Sequence, residues 1–160
     1  MTDRAVFSEP EWDLLVELPR WVAQAASAAE PNNARQASAE EESGLLAIAD
    51  GRQSASPFVA ELARRLVDIY DEPRRGAVRI DFHDAAAGLA TVLDHVRQAS
   101  QVLATKVDAT DAGAYRQWLL AITDTVIGTV RSGSVLGLGG SVVSEAERRF
   151  RHDLNRALYV

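Results

Sequence analysis

An all-α fold, one bundle of five or six helices, is what this sequence predicts, and three observations carry that reading. Helix start signals recur along the whole chain: Ser8-Glu9-Pro10-Glu11, Ser38-Ala39-Glu40-Glu41 and Ser144-Glu145-Ala146-Glu147 are capping boxes, in which a serine and a glutamate three residues on satisfy each other's backbone amides. Apolar residues recur at three- and four-residue spacing between these signals, and period-two alternation is nearly absent. At 160 residues and 47% hydrophobic, the chain is long enough to bury one core without staples.

Taken in order, the first helix starts at Ser8, with Phe7 and Trp12 placed to form a hydrophobic staple and residues 1–7 expected as a flexible lead-in. It is apolar on two sides. Trp12, Leu15, Val16, Pro19, Val22 and Ala26 share one, while Leu14, Leu18, Trp21 and Ala25 share the other. Three accounts fit this pattern: a kinked central helix, a helix whose second side meets another subunit, or a break at Pro19, which lacks an amide proton. The second helix opens at Ser38 and stops at Gly51, and the third opens at Ser56-Pro57 with Phe58, Leu62, Leu66 and Ile69 inward. Asp81 is the expected cap of a fourth helix to about Lys106, with Phe82, Ala86, Leu89, Leu93, Val96 and Leu103 as its stripe. Asp108 or Thr110 caps the fifth, which runs to about Arg131 and places Tyr115, Trp118, Leu119, Ile122, Val126 and Val130 on one face. Before the short last helix to Leu158 lies an unusual linker, 132–143, rich in glycine yet apolar.

Composition excludes several functions. With no cysteine, thiol catalysis, thiolate metal sites and disulfides are all ruled out. Residues 1–50 hold three arginines against ten carboxylates and the remainder is nearly neutral, so no nucleic-acid footprint exists. No window is apolar enough to span a membrane and no secretory leader is visible, which points to a cytoplasmic protein. Sixteen of the seventeen basic residues are arginine, in an alanine-rich chain, a codon signature of a GC-rich bacterial genome.

Motif by motif, the chemistry fails to assemble. The 133–143 loop precedes a helix N-terminus, a natural anion site, but it carries no Gly-Lys-Ser/Thr and no dinucleotide spacing. Its plainer role is packing, with Val135, Leu136 and Leu138 tucked against the bundle and Gly139 and Gly140 permitting tight turns. Gly139-Gly140-Ser141-Val142-Val143 lacks the last glycine of a nucleophile elbow. His83, His95 and His152 have no partner spacing for a metal or a triad. Asp108 to Leu119 starts like a calcium loop but ends without the bidentate glutamate. The arginines at 64, 65, 74, 75 and 79 are cancelled by five nearby carboxylates, and Glu40-Glu41-Glu42 suits a helix N-terminus.

Ala47-Ile48-Ala49-Asp50-Gly51 and Val142-Val143-Ser144-Glu145-Ala146-Glu147-Arg148-Arg149-Phe150 resemble segments of the TerB-like family, small helical domains associated with tellurite resistance and stress response. The resemblance covers about 60 residues, by the extent of the two segments and their helices. It departs from the family where Ser132-Gly133 stands in place of a second Asp-Gly and where the glycine loop is extra. It implies an all-helical accessory protein rather than an enzyme, with Asp50, Glu145 and Glu147 as the residues that would carry over. The expectation is therefore a non-catalytic interaction or stress-accessory module without a cofactor. It would self-associate, or meet another protein, through Leu14, Leu18 and Trp21. The alternative is a binding protein for a small hydrophobic ligand or a metal-associated anion near loop 133–143, through Val135, Leu136, Leu138, Gly139 and Gly140.

Overall fold

The computed structural model describes residues 1–31, 34–72, 78–132 and 143–160, and among these the chain is all-helical. Six helices follow in order: α1 Glu9–Ala28, α2 Ala34–Asp50, α3 Pro57–Ile69, α4 Ala85–Lys106, α5 Ala109–Ser132 and α6 Glu145–Leu158. Short 3₁₀ turns lie at Arg4–Val6 and Gly51–Gln53. The loop residues Val135, Leu136, Leu138, Gly139 and Gly140 lie outside the described residues, so the reading placed on them is left as an expectation.

The capping boxes at Ser8 and Ser144 both form, with the serine amides 2.7 and 2.9 Å from the carboxylates of Glu11 and Glu147. Glu11 also meets the Lys106 ammonium at 2.6 Å; that bond, with the Ser8 amide, holds its carboxyl down at about 2. Ser56 caps α3, and Asp108 rather than Thr110 caps α5, its carboxylate accepting from the amides of Thr110 and Asp111. In the lead-in the Thr2 amide donates to Asp111, and the Phe7 ring stacks on Phe58 and lies tilted against Trp12.

Two starts differ from expectation. α2 begins at Ala34, so Ser38 and Glu41 lie inside the helix; Ala34-Arg35-Gln36-Ala37 are strong helix formers that extend it backwards. α4 begins at Ala85, capped by Asp84, while Asp81 takes the His83 amide at 2.8 Å in a local turn. The later start goes with a turned face: Val92, Val96, Ala99 and Leu103 are buried, Leu89 and Leu93 flank them, and Ala86 is exposed.

α1 is the hub. It is unbroken from Glu9 to Ala28 with Pro19 inside, and it contacts all of the other helices. α4 and α5, though joined by two residues, hardly pack on each other: α4 lies mainly on α1 and α6, and α5 mainly on α2 and then on α1. Both apolar sides of α1 are used within this one chain. Trp12 faces Phe7 on one side, and Trp21 meets the His95 ring, centroids 4.8 Å apart, on the other. Leu18 is fully buried, Trp21 is 5% exposed and Leu14 is packed against the core. A central helix needs two apolar sides, and within this chain both are packed against other helices.

Candidate functional site

A helix buried on both sides still has a remaining strip, and on α1 that strip is polar. Glu17, Arg20, Gln24 and Ser27 follow one another at three- and four-residue spacing, which places them in a line along the helix. This line forms a wall of two adjoining cavities. The larger, about 740 Å³, lies between α1, α2 and the segment leading into α4, and alanines with Ile80 and Phe82 supply most of its apolar lining. The smaller, about 380 Å³, is bounded by Glu17, Arg20, Trp21, Tyr70, Asp71 and Glu72. Gln24, Tyr70 and Ile80 line both, so the two read as one cleft with a narrow and a wide end.

Arg20 is the centre of the narrow end. Its guanidinium lies 4.4 Å from the centroid of the Tyr70 ring, a cation–π contact that fixes its plane. Its Nε is 3.6 Å from a Glu17 carboxylate oxygen, close enough for charge attraction and too far for a hydrogen bond. Nε and Nη2 are both buried and neither has a hydrogen-bond partner. Those two N–H groups point the same way and form the edge by which arginine grips planar acceptors. Burial lifts the Tyr70 phenol above its usual range against the pull of Arg20, with Glu41 and Asp71 adding to the rise. At the wide end Glu40 is buried and accepts from the Ser27 hydroxyl.

The residues expected to matter lie elsewhere. Asp50 is exposed and lines an open depression of about 770 Å³ beside Gly51 and Trp118. The Glu147 carboxylate accepts from the Ser144 amide, and Glu145 is exposed on the first turn of α6. His83 and His152 are exposed, and His95 is half-buried against Trp21 with Nδ1 unpartnered. Among the described residues no three histidines or carboxylates are placed to share a metal ion, and no helix is long and apolar enough to cross a membrane. The structure therefore brings together a set that motif reasoning passed over: Glu17, Arg20, Gln24 and Tyr70. The signal for three of them was present as the polar remainder of a helix apolar on both sides. Tyr70 carried none, because only the fold sets it against Arg20.

The chain matches no family model, no curated protein and no solved structure.

Proposed function

We propose that the chain is a non-catalytic binding module for a small molecule, and that its working surface is the α1 cleft rather than the 133–143 loop. One observation carries this reading: two adjoining cavities of about 740 and 380 Å³ meet along α1, an apolar lining of alanines, Ile80 and Phe82 running into a narrow end that holds Glu17, Arg20 and Tyr70. A concave site with an apolar lining and a few convergent polar groups is the usual form of a small-molecule pocket. Composition supports a bacterial cytoplasmic setting, and the resemblance to TerB-like domains supports a stress-accessory context.

The test is a fragment titration of the ¹⁵N-labelled chain. Trp21 lines the narrow end, so its indole signal, assigned through Trp21→Phe, reports on occupancy. Saturable shifts of this signal together with Gln24, leaving Trp118 unmoved, are the expected result. A broad set of acidic, basic, zwitterionic and neutral fragments that moves neither Trp21 nor Gln24 at millimolar concentration would overturn the proposal.

A further inference from the structure

We propose that the wide end of the cleft takes an amphipathic amine, its apolar body in the cavity and its ammonium at the rim on Glu41 and Glu30; this rests on the cleft being a binding site. Alanines of α1 and α2 leave the space, and Ile80 and Phe82 line it from the segment before α4. Ile80 and Phe82 are only partly buried, so apolar surface is left for an occupant to cover. At about 740 Å³ the cavity has room for a ring and a short chain. The two rim side chains keep solvent-accessible surface: Glu41 is exposed on α2, and Glu30 is half-buried just past the end of α1. A third carboxylate, Glu40, is buried in the same lining and accepts from the Ser27 hydroxyl; the ligand need not touch it.

Charge decides the class of head group. Glu30, Glu40 and Glu41 stand at the wide end with no arginine or lysine among its described lining residues. The narrow end does hold cations, Arg20 and Arg79, but Glu17, Asp71 and Glu72 line it with them. Over the joined cleft six carboxylates therefore face two guanidiniums, and the narrow end does not reverse the sign at the wide one. Helix ends do not reverse it either. α1 stops and α2 starts beside this cavity, so their opposite partial charges offset, and the α4 start is met by its cap Asp84. Burial, and then Glu41 and Asp71 against the pull of Arg20, raise the Tyr70 phenol on the shared wall, so the Glu41 charge is felt inside the cleft.

Other ligand classes answer half of this pattern. An apolar acid would cover the lining and bring its head group to like charge. A small bare cation would suit the rim and leave the apolar lining in water. A neutral apolar molecule gains the burial without the charge. An amphipathic amine takes both.

The full-length ¹⁵N-labelled chain is titrated with phenylbutylamine, phenylbutanol, phenylbutyrate and ethylamine. Phenylbutylamine should shift Gln24 and Phe82 saturably and bind about tenfold more tightly than the other three, the weight of one charged hydrogen bond against the alcohol and the acid. Raising the salt concentration should weaken the amine and leave the alcohol as it was. Glu41→Gln and Glu30→Gln should each weaken the amine about threefold, as loss of an exposed ion pair does, with the alcohol unmoved and the circular-dichroism spectrum retained. Should a variant not fold, the four-compound series on the unaltered chain decides the matter. An alcohol or a carboxylate that binds as tightly as the amine overturns the proposal, and so does ethylamine, since general attraction to carboxylates would then suffice. Folded Glu41→Gln and Glu30→Gln chains that bind the amine as the parent does overturn it as well. If phenylbutylamine leaves Gln24 and Phe82 unmoved while other fragments shift Trp21 and Gln24, the proposal falls and the binding reading stands. If no fragment moves Trp21 or Gln24, both fall.

Discussion

A methyl group added at Gly51 would meet the Trp118 indole at 2.6 Å, a separation at which something must shift. Trp118 has little freedom to yield, because it is nearly buried and its Nε1 donates to the Ala47 carbonyl at 3.4 Å. Gly51→Ala is therefore expected to destabilise the fold by about 1–3 kcal/mol, the usual cost of overpacking. Gly113 is the contrasting case: it lies inside α5 and a methyl there meets nothing within 4 Å. Gly113→Ala should stabilise by about 0.5–1 kcal/mol, through the lower entropy cost of ordering alanine in a helix. Urea midpoints of the two variants check both signs, and a Gly51→Ala midpoint at or above that of the parent chain would contradict the packing described. Gly51 was legible in the sequence as a helix stop, but its second role, making room for an indole from α5, was not. The same holds for Arg20. Its place on a polar strip could be counted from the sequence, whereas its missing acceptors depend on Tyr70 and Glu17 meeting it in three dimensions.

At the scale of the element, α1 shows how a rule-breaking residue is accommodated. Pro19 has no amide proton, so the Leu15 carbonyl, four residues earlier, loses its helical donor. The Tyr115 hydroxyl supplies one from α5, at 2.8 Å and fully buried, and burial holds this phenol protonated by raising it well above its usual range. Proline and tyrosine are thus halves of one arrangement. Tyr115→Phe should cost about 1–3 kcal/mol by leaving a buried carbonyl unpaired. In a Pro19→Ala background the restored amide can bond Leu15, and the same Tyr115→Phe change should cost less. A double-mutant cycle by chemical denaturation measures the difference; additive effects would show that the two residues are independent. Helix ends were readable wherever capping was local, as at Ser8, Ser56, Asp108 and Ser144. The readings failed at Ser38 and Asp81, where helix-forming neighbours and a local turn outcompeted the apparent cap. Two-sided apolarity on α1 was equally visible, but the sequence could not say whether the second side met its own chain or another.

For the whole molecule, that choice becomes a measurable statement about association. α1 is surrounded by its own chain, with Leu18 and Trp21 inside and Trp21 against His95 of α4. A core closed within one chain does not depend on a second copy, so the melting temperature should not change with protein concentration. Trp21→Ser then removes a large buried ring, and the expected effect is a loss of about 3–5 kcal/mol, as for other large-to-small core changes. Against a total of about 5–15 kcal/mol for a domain, that loss leaves a marginal or unfolded chain. The opposite arrangement predicts a different result. Were Trp21 at the contact between two copies, the same change would split a dimer into monomers that remain folded. Light scattering with size-exclusion chromatography over a wide dilution range, paired with thermal melts of both proteins, separates these outcomes. A dilution-sensitive dimer whose Trp21→Ser variant is a folded, stable monomer would overturn the central placement of α1. A melting temperature that drops sharply on substitution, with an association state that dilution leaves unchanged, would place Trp21 in the core.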